Sequence, residues 1–272
     1  MSAVDLGRIG IWRRHVEGAD DLQEIEALGF GAFWLGSSPS LDDARPFLER
    51  STTLTVATGI LNIWRHEPAA VAAQHVELTR AFPDRFVLGI GVGHPESTSE
   101  WETPLGAMRR FFDGLDPAVP REERAAAALG PKMLDLAADR SLGALTYFVT
   151  PDHTRFARER LGGDALLATE LAVVVDPDAH AARAKAREYA AYYLELSNYA
   201  RNLLRSGFTE DDIAGGGSDR LIDAVIPHGT AEEVADVVRA HLEAGADHVC
   251  LQPLGNHAGP LEDYRALASV LL

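Results

Sequence analysis

Short apolar runs alternate along this chain with longer segments whose apolar residues recur every three or four positions. Runs of the first kind predict strands at Arg8–Trp12, Ala32–Gly36, Leu54–Leu61, Phe86–Val92, Ala125–Leu129, Ala144–Val149, Leu171–Val175 and His248–Gln252. The intervening segments predict helices. Asp20 precedes Leu22, Ile25 and Leu28, with Gly29 at the far end. Pro68 fits the first helical position ahead of Val71, His75, Leu78 and Phe82. Thr230 and Glu233 form a capping box before Val234, Val237 and Val238, and Gly245 closes that segment. The longest predicted helix runs from about 178 to 205. Its stripe of Ala182, Ala186, Tyr189, Tyr193, Leu196, Ala200 and Leu203 packs on the sheet or on a second subunit, the first being the commoner outcome.

Strand–helix alternation implies a parallel sheet, and eight strands is the number that closes a (β/α)8 barrel of the α/β class. A ninth apolar run, Leu221–Ile226, reads as an extra segment near the rim before the eighth strand. Gly215-Gly216-Gly217-Ser218 reads as a surface loop or a flap, and Asp113–Arg124 as an irregular connection. No linker forces a boundary, so residues 1–272 are expected to form one domain.

Composition narrows the function classes. The 272 residues are 46% hydrophobic, enough for a sizeable core. Formal charge is −16, from 25 basic and 41 acidic residues, which repels polyphosphate and argues against nucleic-acid partners. An anionic ligand therefore needs a local basic spot, for which Arg13, Arg14, Arg65 and Lys132 are candidates. The single cysteine, Cys250, lies in an apolar run and has no internal disulfide partner, which fits a reducing cytoplasm. No apolar run reaches the ~18 residues of a membrane span, and Met1–Arg14 lacks the features of a secretory leader.

In a barrel of this kind, ligands bind where the carboxyl ends of the strands emerge. The first strand brings Trp12, Arg13, Arg14 and His15 to that end, and the second brings Gly36, Ser37 and Ser38. The third brings Gly59 through His66, including Ile60, Asn62, Trp64 and Arg65, and the fourth brings Gly93, His94, Glu96 and Ser97. In the fourth strand Gly89, Gly91 and Gly93 share one face. Either a flat ligand lies against that bare backbone, or the glycines allow a bend or admit bulky neighbours. Gly59, late in the third strand, marks a bulge or a platform for a ring. After the fifth strand, Ala128 and Leu129 lead into Gly130-Pro131-Lys132 and a helix start. That is a phosphate seat or an ordinary helix N-terminus, and the alanine run before it also suits a helix. No dinucleotide fingerprint, Walker sequence, zinc motif or nucleophile elbow is present, and no metal-ligand set is expected. His15, His66, His94 and His228 each read as solvated loop residues or as site residues.

Two stretches resemble one family. These are Thr58-Gly59-Ile60-Leu61-Asn62-Ile63-Trp64-Arg65-His66-Glu67-Pro68 with Gln74-His75, and Pro83-Asp84-Arg85-Phe86-Val87-Leu88-Gly89-Ile90-Gly91-Val92-Gly93-His94. Together with Ala127–Met133 and Pro227-His228-Gly229-Thr230 they are similar to the luciferase-like flavin and deazaflavin oxidoreductases, above all to the subgroup that uses coenzyme F-420. The resemblance implies a TIM barrel, usually dimeric, with a non-proline cis peptide at Gly59–Ile60 whose bulge backs the middle ring of the deazaflavin. It implies cofactor binding by Gly36, Ser37, Gly59, Ile60, Asn62, Gly93, His94 and Ser97, and by Ala128, Leu129, Gly130, Pro131 and Lys132 at the phosphate. It implies a substrate wall at Trp12, His15, Trp64 and His228, with His94 as catalytic hydrogen-bond or proton donor. The implied activity is hydride transfer between F-420 and a small organic substrate by a cytoplasmic homodimer. The alternatives are an FMN-dependent monooxygenase and a non-catalytic flavin carrier. The chain departs from sugar-phosphate oxidising relatives, which carry an Asp-His pair where this one has Gly36-Ser37-Ser38.

Overall fold

A computed structural model describes residues 4–14, 18–94, 103–255 and 261–272. Ten strands lie among them: β1 (Ile9–Arg14), β2 (Ala32–Gly36), β3 (Thr55–Thr58), β4 (Leu61–Asn62), β5 (Phe86–Gly91), β6 (Arg124–Ala127), β7 (Gly143–Thr146), β8 (Leu166–Val175), β9 (His228–Gly229) and β10 (His248–Pro253). Eight of them close a parallel barrel in the order β1, β2, β3, β5, β6, β7, β8, β10. Closure comes from β10, which pairs with β1 (Gly10 opposite Cys250) and with β8 (Cys250 opposite Glu170). The barrel is the TIM-type architecture that the sequence predicts.

Side-chain alternation sorts the core into layers. Trp12, Trp34, Ala57, Val87, Ala125, Leu145, Ala168 and Cys250 fill the barrel interior. Ile11, Phe33, Leu35, Val56, Phe86 and Leu88 face outward into the layer between sheet and helices. Inside the barrel Trp34 Nε1 donates to His248 Nε2 at 3.0 Å, and His248 Nδ1 donates to the Gly7 carbonyl at 2.8 Å. Both ring nitrogens are thereby satisfied in the neutral form, and burial lowers the His248 pKa to about 4.

The glycine-rich strand resolves in favour of protein neighbours. A Cβ at Gly89 would lie 1.9 Å from the Thr58 carbonyl oxygen, and one at Gly91 would lie 2.9 Å from Ala127 Cβ and 3.1 Å from Ile60. These two glycines admit the neighbouring bulge and Ala127, not a ligand. The expected third strand is interrupted: β3 and β4 flank a cis peptide at Gly59–Ile60. The alanine run is a strand, since Arg124–Ala127 pairs with β5 and β7 and small side chains suit that crowded wall.

Four further elements differ from expectation. Strand β8 starts at Leu166, not Leu171. The long helix is two, Ala179–Leu194 and Ser197–Arg205, with Leu196 in extended backbone between them. Residues 221–226 fall largely in a helix, Asp219–Val225, capped by Ser218. The connection after residue 113 is shorter than read, because the helix before it runs on to Leu115. The excursion between β8 and β10 packs its own apolar faces. Ala182, Ala186, Ala190, Leu203, Leu221 and Ile222 form a cluster with Phe148, Ala172 and Val174.

Candidate functional site

The cis Gly59–Ile60 bond and the Gly36 turn shape the mouth of the barrel. A Cβ at Gly36 would lie 2.0 Å from the Trp12 ring, so the bare position lets the indole cross the barrel. Trp12 Nε1 then donates to the Gly59 carbonyl at 3.2 Å. Past Gly36, Ser37 and Ser38 both take left-handed backbone, with φ of 63° and 55°, a conformation that costs non-glycine residues energy and clusters at sites. Above this floor opens a cavity of about 1130 Å³ at the carboxyl ends of the strands.

Its lining divides by chemistry. Gly59, Ile60, Asn62, Gly93 and His94 form one wall. Asn62 accepts from the Trp64 amide at 3.0 Å, and Asn198 Oδ1 lies 3.2 Å from His94 Nδ1, which sets the imidazole against this wall. Ala128, Leu129 and Gly130 form a second wall at the start of the Pro131–Arg140 helix. Gly130 is the N-cap and supplies no side chain to it. A Cβ there would meet nothing closer than Arg205, whose Nη2 would lie 3.8 Å away. The helix N-terminus and this guanidinium together make a seat for an anion. The third wall is aromatic and comes from the excursion and the strand ends. Tyr147, Tyr189, Tyr193 and Gln252 share hydrogen bonds there: Tyr147 donates to Gln252 Oε1 at 3.1 Å and Tyr189 to the same atom at 2.8 Å. Burial raises the Tyr147 and Tyr189 pKa values well above the ordinary phenol, so both hydroxyls keep their protons.

Nine of the expected cofactor positions line this cavity: Ser37, Gly59, Ile60, Asn62, Gly93, His94, Ala128, Leu129 and Gly130; Trp12 lines it as well. Gly36 lies beneath Trp12. Pro131 and Lys132 are outside the lining, and Lys132 is exposed to solvent. Trp64 instead donates its indole N–H to the Val92 carbonyl at 2.7 Å and packs on the outer core. His228 also lies outside the lining, with Nδ1 donating to the Ile226 carbonyl at 2.9 Å and Nε2 3.4 Å from Asp223. His15 and Ser97, with Glu96, lie outside the described residues. Of the expected basic spots, Arg14 and Arg65 reach the cavity. Arg13 does too, but its guanidinium is committed to Asp21 at 2.8 Å. Sequence reasoning missed Arg205, Arg201, Gln252 and Tyr147. The first two sit on a helix far along the chain from the seat they serve.

The residues present fit a phosphorylated tricyclic cofactor. The bulge offers main chain to a ring face, and the Gly130 helix start, which has no side-chain cap, suits a phosphate together with Arg205. Among the described residues no group of three or more histidine, cysteine, aspartate or glutamate side chains is placed to hold a metal, and no helix is long and apolar enough to cross a membrane.

Comparisons with known proteins agree with the barrel fold. Residues 12–123 match the family described as luciferase-like monooxygenase. A 5,10-methylenetetrahydromethanopterin reductase of Archaeoglobus fulgidus is 24% identical over 265 residues, covering 76% of this chain and 79% of that protein. Among solved structures, an F-420-dependent secondary alcohol dehydrogenase with an F-420-acetone adduct superposes with a TM-score of 0.77 at 16% identity, covering 98% of both chains. The F-420-dependent tetrahydromethanopterin reductase of Methanopyrus kandleri gives 0.77 at 15% identity, covering 99% of both. The chain thus resembles the luciferase-like monooxygenase family over residues 12–123 and shares its barrel fold with these solved structures over nearly its whole length.

Proposed function

We propose that this protein is an oxidoreductase that moves a hydride between coenzyme F-420, an 8-hydroxy-5-deazaflavin, and a small organic substrate. One observation carries the reading: the Gly59–Ile60 bulge and the Gly130–Arg205 anion seat open onto the same cavity. The names of the relatives support F-420 over FMN. When bound, the deazaflavin supplies the hydride-carrying carbon. The chain's own residues do the rest. Gly59 and Ile60 present main chain to the ring, Trp12 closes the floor beneath it, and the Gly130 helix start with Arg205 holds the phosphate. Ser37, Asn62 and Gly93 border the ring. His94, oriented by Asn198, stands where a proton or hydrogen bond is wanted beside the reacting carbon. In this reading the whole chain acts as one domain, as a homodimer in the cytoplasm, on a small-molecule substrate and without a nucleic-acid partner.

The test is titration of F-420 fluorescence with purified protein. Quenching with micromolar-range affinity supports the reading, and no quenching at high protein concentration overturns it. His94→Ala is expected to keep that affinity and to lower hydride-transfer rates by ~100-fold or more. Unchanged rates would remove His94 from the chemistry.

A further inference from the structure

His153 is 4% exposed and sits in the first turn of the helix Pro151–Leu161. It does not line the cavity, whereas Leu129 and Gly130 do. Its Nε2 donates to the Leu129 carbonyl at 3.0 Å. Burial lowers its pKa, the Leu129 carbonyl opposes that, the Arg205 charge adds to the lowering and Asn202 opposes it. The ring is therefore neutral at pH 7, with its one proton on Nε2. Nδ1 is left as a buried lone pair with no hydrogen-bond partner. A leucine would fill this place without that cost. What the histidine adds is a grip on one carbonyl, and the place of that carbonyl gives the grip a use.

Among the described residues the one cis peptide is Gly59–Ile60, so the Leu129–Gly130 peptide is trans. The Leu129 C=O and the Gly130 N–H therefore point to opposite sides. The imidazole holds the carbonyl from outside the cavity, which turns the Gly130 N–H toward it. Among the described residues no main-chain carbonyl accepts from that N–H. It is a donor left for a ligand at the N-cap of the Pro131–Arg140 helix, where Pro131 has no N–H to offer. Arg205 is held in a similar way. Its Nη2 donates to Asn202 Oδ1 at 2.8 Å, and Asn202, one turn earlier on the Ser197–Arg205 helix, is 1% exposed. The Asn202 side chain also neighbours the His153 ring. The two halves of the anion seat come from different helices, and their buried supports stand side by side.

Resting on the F-420 reading above, we propose that His153 and Asn202 are positioning residues of the phosphate seat. His153 aims the Gly130 N–H at the cofactor phosphate, and Asn202 aims the Arg205 guanidinium at it. Both side chains lie outside the cavity lining, so each acts through the group it holds. The ring seat at Gly59–Ile60 depends on neither, so affinity for the phosphate and affinity for the ring separate.

Fluorescence titration of the full chain with F-420 and with its phosphate-free chromophore tests this. His153→Leu is expected to weaken F-420 binding ~5-fold or more, and to leave the phosphate-free chromophore within about twofold of wild type. His153→Gln puts an amide N–H near the place of Nε2–H and is expected to regain most of the F-420 affinity. Asn202→Leu is expected to weaken F-420 binding ~3-fold or more, and to add nothing once Arg205→Met is present. His153→Leu still weakens binding in that background, because it acts through Gly130. Three results overturn the proposal: wild-type F-420 affinity in His153→Leu, equal losses for F-420 and the phosphate-free chromophore in either variant, or an Asn202→Leu loss that persists undiminished beside Arg205→Met. A nuclear magnetic resonance measurement on the wild type decides even if His153→Leu does not fold. The Gly130 amide resonance is expected to shift when F-420 binds and to move far less with the phosphate-free chromophore, and equal movement overturns the proposal. A wild type that quenches neither compound would instead overturn the F-420 reading, and this proposal with it.

Discussion

Gly36 and Arg205 are where single side chains decide the most. Any side chain at Gly36 must displace the Trp12 ring, which would lie 2.0 Å from its Cβ. Gly36→Ala is expected to break the Trp12–Gly59 hydrogen bond, to destabilise by about 1–3 kcal/mol as overpacking does, and to weaken F-420 binding. Thermal melts and fluorescence titration check both effects. Arg205→Met removes the cation facing the Gly130 helix start and is expected to weaken F-420 binding ~10-fold or more, since a hydrogen bond to a charged group is worth ~1.5–3 kcal/mol. Lys132→Met, at an exposed position, is expected to leave affinity within about twofold. At this scale the sequence was legible where chemistry is local. Gly130 announces a helix start by its neighbours. Its cation does not, because Arg205 arrives from a helix that folds back over the barrel mouth, and Lys132 was the nearest charge in sequence only.

Among the elements, the eight barrel strands were readable because both faces of a barrel strand are buried and the apolar runs are correspondingly dense. The break in the third strand was not readable from that pattern. The cis Gly59–Ile60 bond came from the resemblance of Thr58–Pro68, not from hydrophobic spacing. The division of the long helix at Leu196 was also hidden, since its 3/4 stripe continues across the break. That break matters, because the first half carries Tyr189 and Tyr193 to the cavity and the second carries Arg201 and Arg205. A different junction offers a pH test. The Glu26 carboxylate, at the end of the Leu22–Ala27 helix, accepts from the Thr52, Thr53 and Leu54 amides ahead of β3. Burial alone would raise its pKa, but these amides and the Thr53 hydroxyl hold it down at about 2, against an ordinary 4.5. A depressed carboxyl pKa stabilises the fold fully above the unfolded value and loses that contribution as pH falls through the folded one. Glu26→Gln is therefore expected to lower Tm by a few degrees at pH 7, with the difference from wild type shrinking between pH 4.5 and about 2. A difference that persists undiminished at the acid end of that window would contradict the assignment.

At the scale of the molecule, a chain of formal charge −16 gathers Arg14, Arg65, Lys185, Arg201 and Arg205 around one cavity. A local basic mouth on an acidic body attracts an anionic ligand at short range while the rest of the surface repels it. F-420 affinity is accordingly expected to fall as salt rises, because exposed charges are screened over ~8–10 Å at ordinary ionic strength. Salt-independent affinity would place the phosphate elsewhere. The central claim is that a ring seat at the Gly59–Ile60 bulge and an anion seat at Gly130 and Arg205 act on one cofactor. Calorimetric titration with F-420, with its phosphate-free chromophore and with FMN tests this most directly. The account predicts that wild type binds F-420 ~10-fold or more tightly than the phosphate-free chromophore, that Arg205→Met erases most of that margin, and that FMN binds more weakly than F-420. Equal affinity for F-420 and its phosphate-free chromophore, or a preference for FMN, would contradict it.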